Sequence, residues 1–101
     1  MKARALEEAK IELEEAIEFY HKESDELGER FKRAVNQALV KALDDPNRWP
    51  RISGEYRRCR VLGFRYGVVY RFNAEELVVI AYMHLHRDPE YWKARDPRGR
   101  G

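Results

Sequence analysis

The sequence predicts an α+β fold in which an antiparallel helix hairpin packs on a small, mainly antiparallel sheet of three to four strands. Two stretches in the first half place apolar residues three and four positions apart, which is typical of helices. The second half holds short runs rich in Val, Ile, Tyr and Phe between turn residues, which is typical of hairpin-linked strands. At 101 residues, the chain can form one domain with a modest core, which we expect to span residues 1–95.

The first helix is predicted from roughly Leu6 to Lys22 and the second from about Leu27 to Leu43. Ser24 or Asp25 can cap the second helix, and Pro46 ends it because its ring cannot continue the hydrogen-bond pattern. The short link between the helices predicts an antiparallel hairpin. We expect the glutamates of the first helix to point to solvent: Glu8, Glu12, Glu15 and Glu18.

Three strands are predicted at Tyr56–Leu62, Tyr66–Phe72 and Leu77–His84. The first two alternate apolar and basic residues, so we expect the helices to cover one sheet face and the arginine-bearing face to stay open. The third is apolar on both faces, as in a central strand. Residues 1–5 fit either an edge strand or a frayed helix start, and Asn47–Glu55 is expected to be a loop.

Near the C-terminus, Tyr91 and Trp92 are predicted to dock two aromatic rings in a final helical turn. Residues 96–101 are expected to form a disordered tail. The single cysteine, Cys59, is expected to be a buried thiol, because it shares strand alternation with Val61. With no apolar run long enough for a membrane helix and no signal peptide, a cytoplasmic protein without membrane contact is expected.

The charge is distributed unequally along the chain. Residues 1–45 carry eight Lys/Arg and twelve Asp/Glu, a net charge of −4, whereas residues 46–101 carry twelve and six, a net charge of +6. Eleven of those twelve bases are arginine, whose planar fork suits phosphate or carboxylate. The basic half is therefore predicted either to bind an anionic partner or to pair with the acidic helices. The candidate binding residues are Arg57, Arg58, Arg60, Arg65, Arg71, His86 and Arg87.

The sequence offers little support for a cofactor or a metal site. It has no glycine-rich phosphate loop and no second cysteine for a Cys-x-x-Cys site. His84 and His86 are close in sequence, but a nearby third ligand is missing. We therefore predict neither a cofactor nor a metal.

Several segments, taken in order and spacing, resemble the RelE/ParE superfamily of type II toxin–antitoxin toxins, on the ParE side. The resemblance covers residues 8–95. Its segments are the Glu-rich first helix ending in Phe19-Tyr20, Leu27 to Phe31, Pro46 with Trp49-Pro50, Arg57-Arg58, Phe64 to Arg71, and His84 to Trp92.

The resemblance implies a β-α-α-β-β-β fold and a cognate antitoxin, with a homodimer or a heterotetramer as possible assemblies. It also implies one of two activities. A ParE-like protein inhibits DNA gyrase without an enzymatic step of its own, which we favour. The alternative is a RelE-like endoribonuclease that cuts messenger RNA on the ribosome. A nuclease needs a general base and cations, for which the candidates are Arg58, Arg65, His84, Arg87 and Tyr91.

Overall fold

The computed structural model describes residues 1–96 and places two helices on one face of a five-stranded sheet. The elements in chain order are β1 (Lys2–Ala5), α1 (Glu7–Glu23), α2 (Asp25–Asp44), β2 (Arg51–Ser53), β3 (Tyr56–Val61), β4 (Tyr66–Phe72), β5 (Glu76–His84) and a 3-10 turn (Lys93–Arg95). The strands lie side by side in the order β1-β5-β4-β3-β2. β1 runs parallel to β5, and the other neighbours are antiparallel. The predicted α+β class is confirmed.

The sheet has one strand more than predicted. β2 lies inside the segment expected to be a loop, and it pairs with Tyr56 and Arg57 at the start of β3. With three residues, β2 is too short to show an alternating pattern. The ambiguous N-terminal segment forms the edge strand β1, and β5 lies between β1 and β4, as expected for a central strand.

The helix hairpin is closed by a tight turn at Ser24. The Ser24 hydroxyl accepts a hydrogen bond from the backbone N–H of Leu27 at 3.0 Å and so caps α2, as predicted. Next to this cap, the His21 ring crosses the first turn of α2 and lies 3.0 Å from Glu29. The absence of a side chain on Gly28 lets the ring lie there, because a Cβ on Gly28 would lie 2.0 Å from His21 Cδ2.

The main core lies between the helices and the sheet. Tyr66, Val68, Tyr70 and Phe72 of β4 all point into this core, as their alternation predicted. Cys59 is also there, 1% exposed, and burial raises the pKa of its thiol to about 11. The predicted buried thiol is confirmed.

The opposite sheet face, called the outer face below, was predicted to be open, and this prediction is wrong. A second apolar cluster covers much of it, with the indole of Trp92 fully buried. The rings of Trp92 and Tyr56 meet edge to face, with centroids 5.0 Å apart. The chain after β5 therefore returns across the outer face, and docking of Trp92 is as predicted.

Asp96 requires a second correction, since it was assigned to the disordered tail. Its side chain is 1% exposed and accepts hydrogen bonds from Arg71 Nε at 2.6 Å and from the Tyr56 hydroxyl at 2.9 Å. The ordered chain thus includes Asp96. The rest of the predicted tail, residues 97–101, lies outside the described residues.

Candidate target-binding surface

Two arginines of β3 project from the end of the outer face that Trp92 leaves uncovered. Arg58 pairs with Val69 of β4, and Arg60 pairs with Gly67. The stem of Arg58 lies across Gly67, where a Cβ would be only 2.9 Å from Arg58 Cγ and Cδ. Gly67 therefore provides the space in which the Arg58 stem lies, and it directs the guanidinium toward Met83 Sδ, 4.0 Å away.

A third arginine extends this basic area. Arg65 lies just before β4, and its backbone C=O accepts a hydrogen bond from Leu85 N–H at 2.9 Å. Its side chain is exposed, with Nη1 3.3 Å from His86 Nε2. We call Arg58, Arg60 and Arg65 the arginine surface.

Arg57 and Arg71, two further candidates for binding an external partner, are engaged within the protein. Arg57 donates to the backbone C=O of Trp49 at 2.6 Å and to the Asn47 side chain at 3.2 Å, which anchors the loop before β2. Arg71 is 4% exposed and is ion-paired with Asp96. The assignment of Arg71 to an external binding surface is therefore wrong.

A second group of candidates meets at Glu12 of α1, between the helix and the C-terminal segment. Glu12 accepts hydrogen bonds from the Tyr91 hydroxyl at 2.5 Å and from Arg95 Nη1 at 2.8 Å. Arg87 Nη1 lies 3.6 Å from the same carboxylate, and its guanidinium carbon lies 3.7 Å from the centroid of the Tyr91 ring. Burial, and then the bond to Glu12, raises the pKa of Tyr91.

A cavity of about 180 Å³ opens beside Glu12, between α1 and the end of the sheet. His84 and Arg87 line it with the aromatic rings of Phe19 and Tyr66. The His84 ring meets Tyr66 edge to face at 5.2 Å, on the helix side of the sheet. The charged and aromatic groups that line this cavity are thus separated from Arg58 by the sheet.

Comparison with protein families finds a match over residues 4–89, most of the chain, to the family described as the ParE toxin of the type II toxin–antitoxin system parDE. The chain belongs to the ParE toxin family. It is therefore the toxin component of a type II toxin–antitoxin system, with a cognate antitoxin as its partner. No curated protein matches it. Among residues 1–96, no helix combines the length and apolar character needed to cross a membrane.

Family membership supports the ParE-like function over the RelE-like alternative. The arrangement of the nuclease candidates also favours the ParE-like function over RNA cleavage. His84, Arg87 and Tyr91 lie near Glu12, whereas Arg58 projects from the opposite face and Arg65 contacts His86. Arg58 thus lies apart from the other candidates, whereas Arg65 lies near His84 through the His86 ring. Tyr91 and Arg87, the two candidates closest to Glu12, already contact its carboxylate.

Sequence reasoning missed two carboxylates of the toxin. Glu12 was expected to point to solvent but its side chain is 13% exposed. A signal was present, because Ala9 and Ala16, one turn before and after it, belong to the buried face of α1. Asp96 had no such signal, since its partners Tyr56 and Arg71 are distant in sequence.

Proposed function

We propose that this toxin inhibits DNA gyrase by binding it through the arginine surface, without cleaving RNA. One observation carries the proposal: Glu12 already engages Tyr91 and Arg87, while Arg58 and His84 lie on opposite sides of the sheet. The basic groups that remain exposed are suited to binding and not to assembling a reaction centre.

RNA cleavage makes demands that the toxin's candidates meet poorly. A general base must take a proton near neutral pH. The Tyr91 hydroxyl already donates a hydrogen bond to Glu12, and its raised pKa keeps it protonated at neutral pH. Stabilising a phosphorane also requires cations around one phosphate. Arg58 and Arg87 cannot surround one phosphate from opposite faces of the sheet.

Binding requires only exposed and ordered cations, and the arginine surface offers both. Arg60 and Arg65 are exposed, and Arg58 is held in place by its stem across Gly67. A side chain fixed before binding loses less conformational entropy when a partner arrives. Arginine can also bind a carboxylate or phosphate with two parallel hydrogen bonds. The surface therefore suits an acidic patch on gyrase, and an acidic antitoxin segment could neutralise it.

The test is a pair of assays on one preparation of purified toxin. In the first, gyrase supercoils plasmid DNA in the presence of increasing toxin. In the second, translating ribosomes carry a labelled messenger RNA. We expect loss of supercoiling, accumulation of cleaved plasmid, and intact messenger RNA. Ribosome-dependent cleavage of the messenger RNA with unaffected gyrase would refute the proposal.

The same proposal places the toxin in the cytoplasm, where gyrase acts on the chromosome. The antitoxin must then mask the arginine surface or deform it. Light scattering of the purified toxin–antitoxin complex distinguishes a heterotetramer from a smaller assembly, and the free toxin can be tested for a homodimer in the same way.

A further inference from the structure

A site with the shape of a carboxylate lies between α1 and the C-terminal segment, and a side chain of the protein fills it. Glu12 Oε1 accepts from Arg95 Nη1 at 2.8 Å and from the backbone N–H of Tyr82 at 3.2 Å. Glu12 Oε2 accepts from the Tyr91 hydroxyl at 2.5 Å and from Arg95 Nη2 at 3.3 Å. Four donors thus converge on one carboxylate, including both arms of one guanidinium.

These donors are held in place by contacts that do not involve Glu12. Arg95 also donates to the Ile80 backbone C=O at 3.3 Å. The Tyr91 ring lies beneath two guanidinium groups, with the carbon of Arg87 at 3.7 Å and that of Arg95 at 5.0 Å from its centroid. The Tyr82 N–H belongs to the central strand β5. The donor set can therefore keep its geometry when its carboxylate is exchanged.

The site is also within reach of solvent. The cavity beside α1 is lined by Glu12 itself, with Arg87 at the same wall. The Arg87 side chain is 57% exposed and lies 3.6 Å from Glu12 Oε2. An incoming anion can therefore contact Arg87 before it reaches the buried donors.

We propose that Arg95, Tyr91, Arg87 and the Tyr82 N–H form a carboxylate-binding site in which Glu12 is the resident ligand, and that an external carboxylate can take its place. The ligand chemistry is that of an acidic side chain or of a small free carboxylate. Exchange at this site would uncouple α1 from the C-terminal segment. The inference does not depend on gyrase being the target.

The test is chemical rescue of the full-length Glu12→Ala variant. Removing the resident carboxylate leaves its donors unpaired, so acetate should bind and raise the melting temperature by about 4 °C or more, levelling off at saturation. Sodium chloride at equal ionic strength should not do so. In wild-type protein and in the Glu15→Ala variant, whose cavity-lining carboxylate does not bind these donors, the resident Glu12 competes with acetate, so the acetate-specific shift should be much smaller than in Glu12→Ala.

Two further variants separate a binding site from a structural contact. The Glu12→Gln variant keeps the packing and fills the space, so it should not respond to acetate. The Glu12→Ala/Arg95→Ala double variant lacks the bidentate donor and should not respond either. An acetate shift of equal size in the double variant, or no shift in Glu12→Ala, would overturn the proposal. If Glu12→Ala does not fold, its refolding yield in acetate and in chloride is judged by the same criterion.

The source of the external carboxylate is resolved by a second titration. The Glu12→Ala variant is titrated with acetate and with a short oligoglutamate peptide at matched carboxylate concentration. A peptide that binds at least tenfold more tightly assigns the site to a protein side chain, and equal affinity assigns it to free carboxylates. Binding of neither contradicts the existence of the site.

Discussion

Arg58 and Arg71 lie on the same face of the sheet and meet different environments. Arg71 is 4% exposed, so its charge has lost nearly all contact with water, and Asp96 supplies the compensating carboxylate. A buried charge without such a partner is strongly unfavourable. Arg58 keeps its guanidinium at the edge of the covered area, where it needs no internal carboxylate. Position relative to the C-terminal segment therefore decides which arginine is structural.

The pairing of Arg71 with Asp96 predicts a large stability effect. Replacing Asp96 by Ala leaves a buried guanidinium and the Tyr56 hydroxyl without this acceptor, so the free energy of unfolding should fall by about 3–5 kcal/mol. Urea denaturation measures this fall in the free energy of unfolding. The matched Asp44→Ala variant removes an exposed carboxylate at the end of α2 and should change stability by less than about 0.5 kcal/mol. Equal effects of the two substitutions would contradict the assignment of Asp96 to the core.

At the scale of elements, local pattern predicted the helices and long strands, because each buries a face whose period is visible in the sequence. β2 was missed, since three residues show no period. The pairing of β1 with β5 joins segments more than 70 residues apart, which no local pattern encodes. Arg71 could not be separated from Arg58 and Arg60 in the sequence, because its partner Asp96 comes from the C-terminal segment. Strand alternation did place Arg57 on the face of Cys59, and its partners lie in the nearby loop before β2.

At the hairpin turn, the effect of Gly28→Ala on stability is expected to change sign when His21 is replaced. Gly28→Ala places a Cβ against the His21 ring, which must move away from Glu29, so we expect a loss of about 1 kcal/mol in the wild-type background. In the His21→Ala background the space is free, and the same change should stabilise α2 by about 1 kcal/mol through helix propensity. Thermal or urea unfolding of wild type, Gly28→Ala, His21→Ala and the double variant completes the double-mutant cycle. The same sign in both backgrounds would contradict the described contact.

At the scale of the whole molecule, buried tyrosines link stability to alkaline pH. Burial raises the pKa of Tyr56, Tyr70 and Tyr82 to about 12 each. Their contribution to stability is fully present below the unfolded pKa of about 10 and is lost as pH rises through about 12. Urea unfolding at increasing pH should therefore show a steep loss of stability above about pH 10. The Tyr82→Phe variant should show a shallower loss, and an unchanged slope would count against burial as the cause.

Folding pairs only some of the arginines in the basic half of the chain with carboxylates of the same protein. Glu12 of α1 engages Arg87 and Arg95, as the interpretation of pairing with the acidic helices anticipated, whereas Arg71 pairs with Asp96 outside the helices. The arginine surface is not part of those ion pairs. Charge reversal there should weaken antitoxin binding about tenfold, with a reduced salt dependence, in calorimetry with the cognate antitoxin. Unchanged affinity of Arg58→Glu would contradict a role for this surface in neutralisation.

The most direct test of the account is gyrase inhibition by two matched charge reversals. Arg60→Glu alters the arginine surface, whereas Arg33→Glu makes the same change at an exposed position of α2. Because exposed charges steer and hold an acidic partner, Arg60→Glu should raise the toxin concentration needed for half-maximal inhibition of supercoiling about tenfold. Arg33→Glu should leave it nearly unchanged. Equal inhibition by wild type and Arg60→Glu, or equal losses in both variants, would contradict the claim that the arginine surface binds the target.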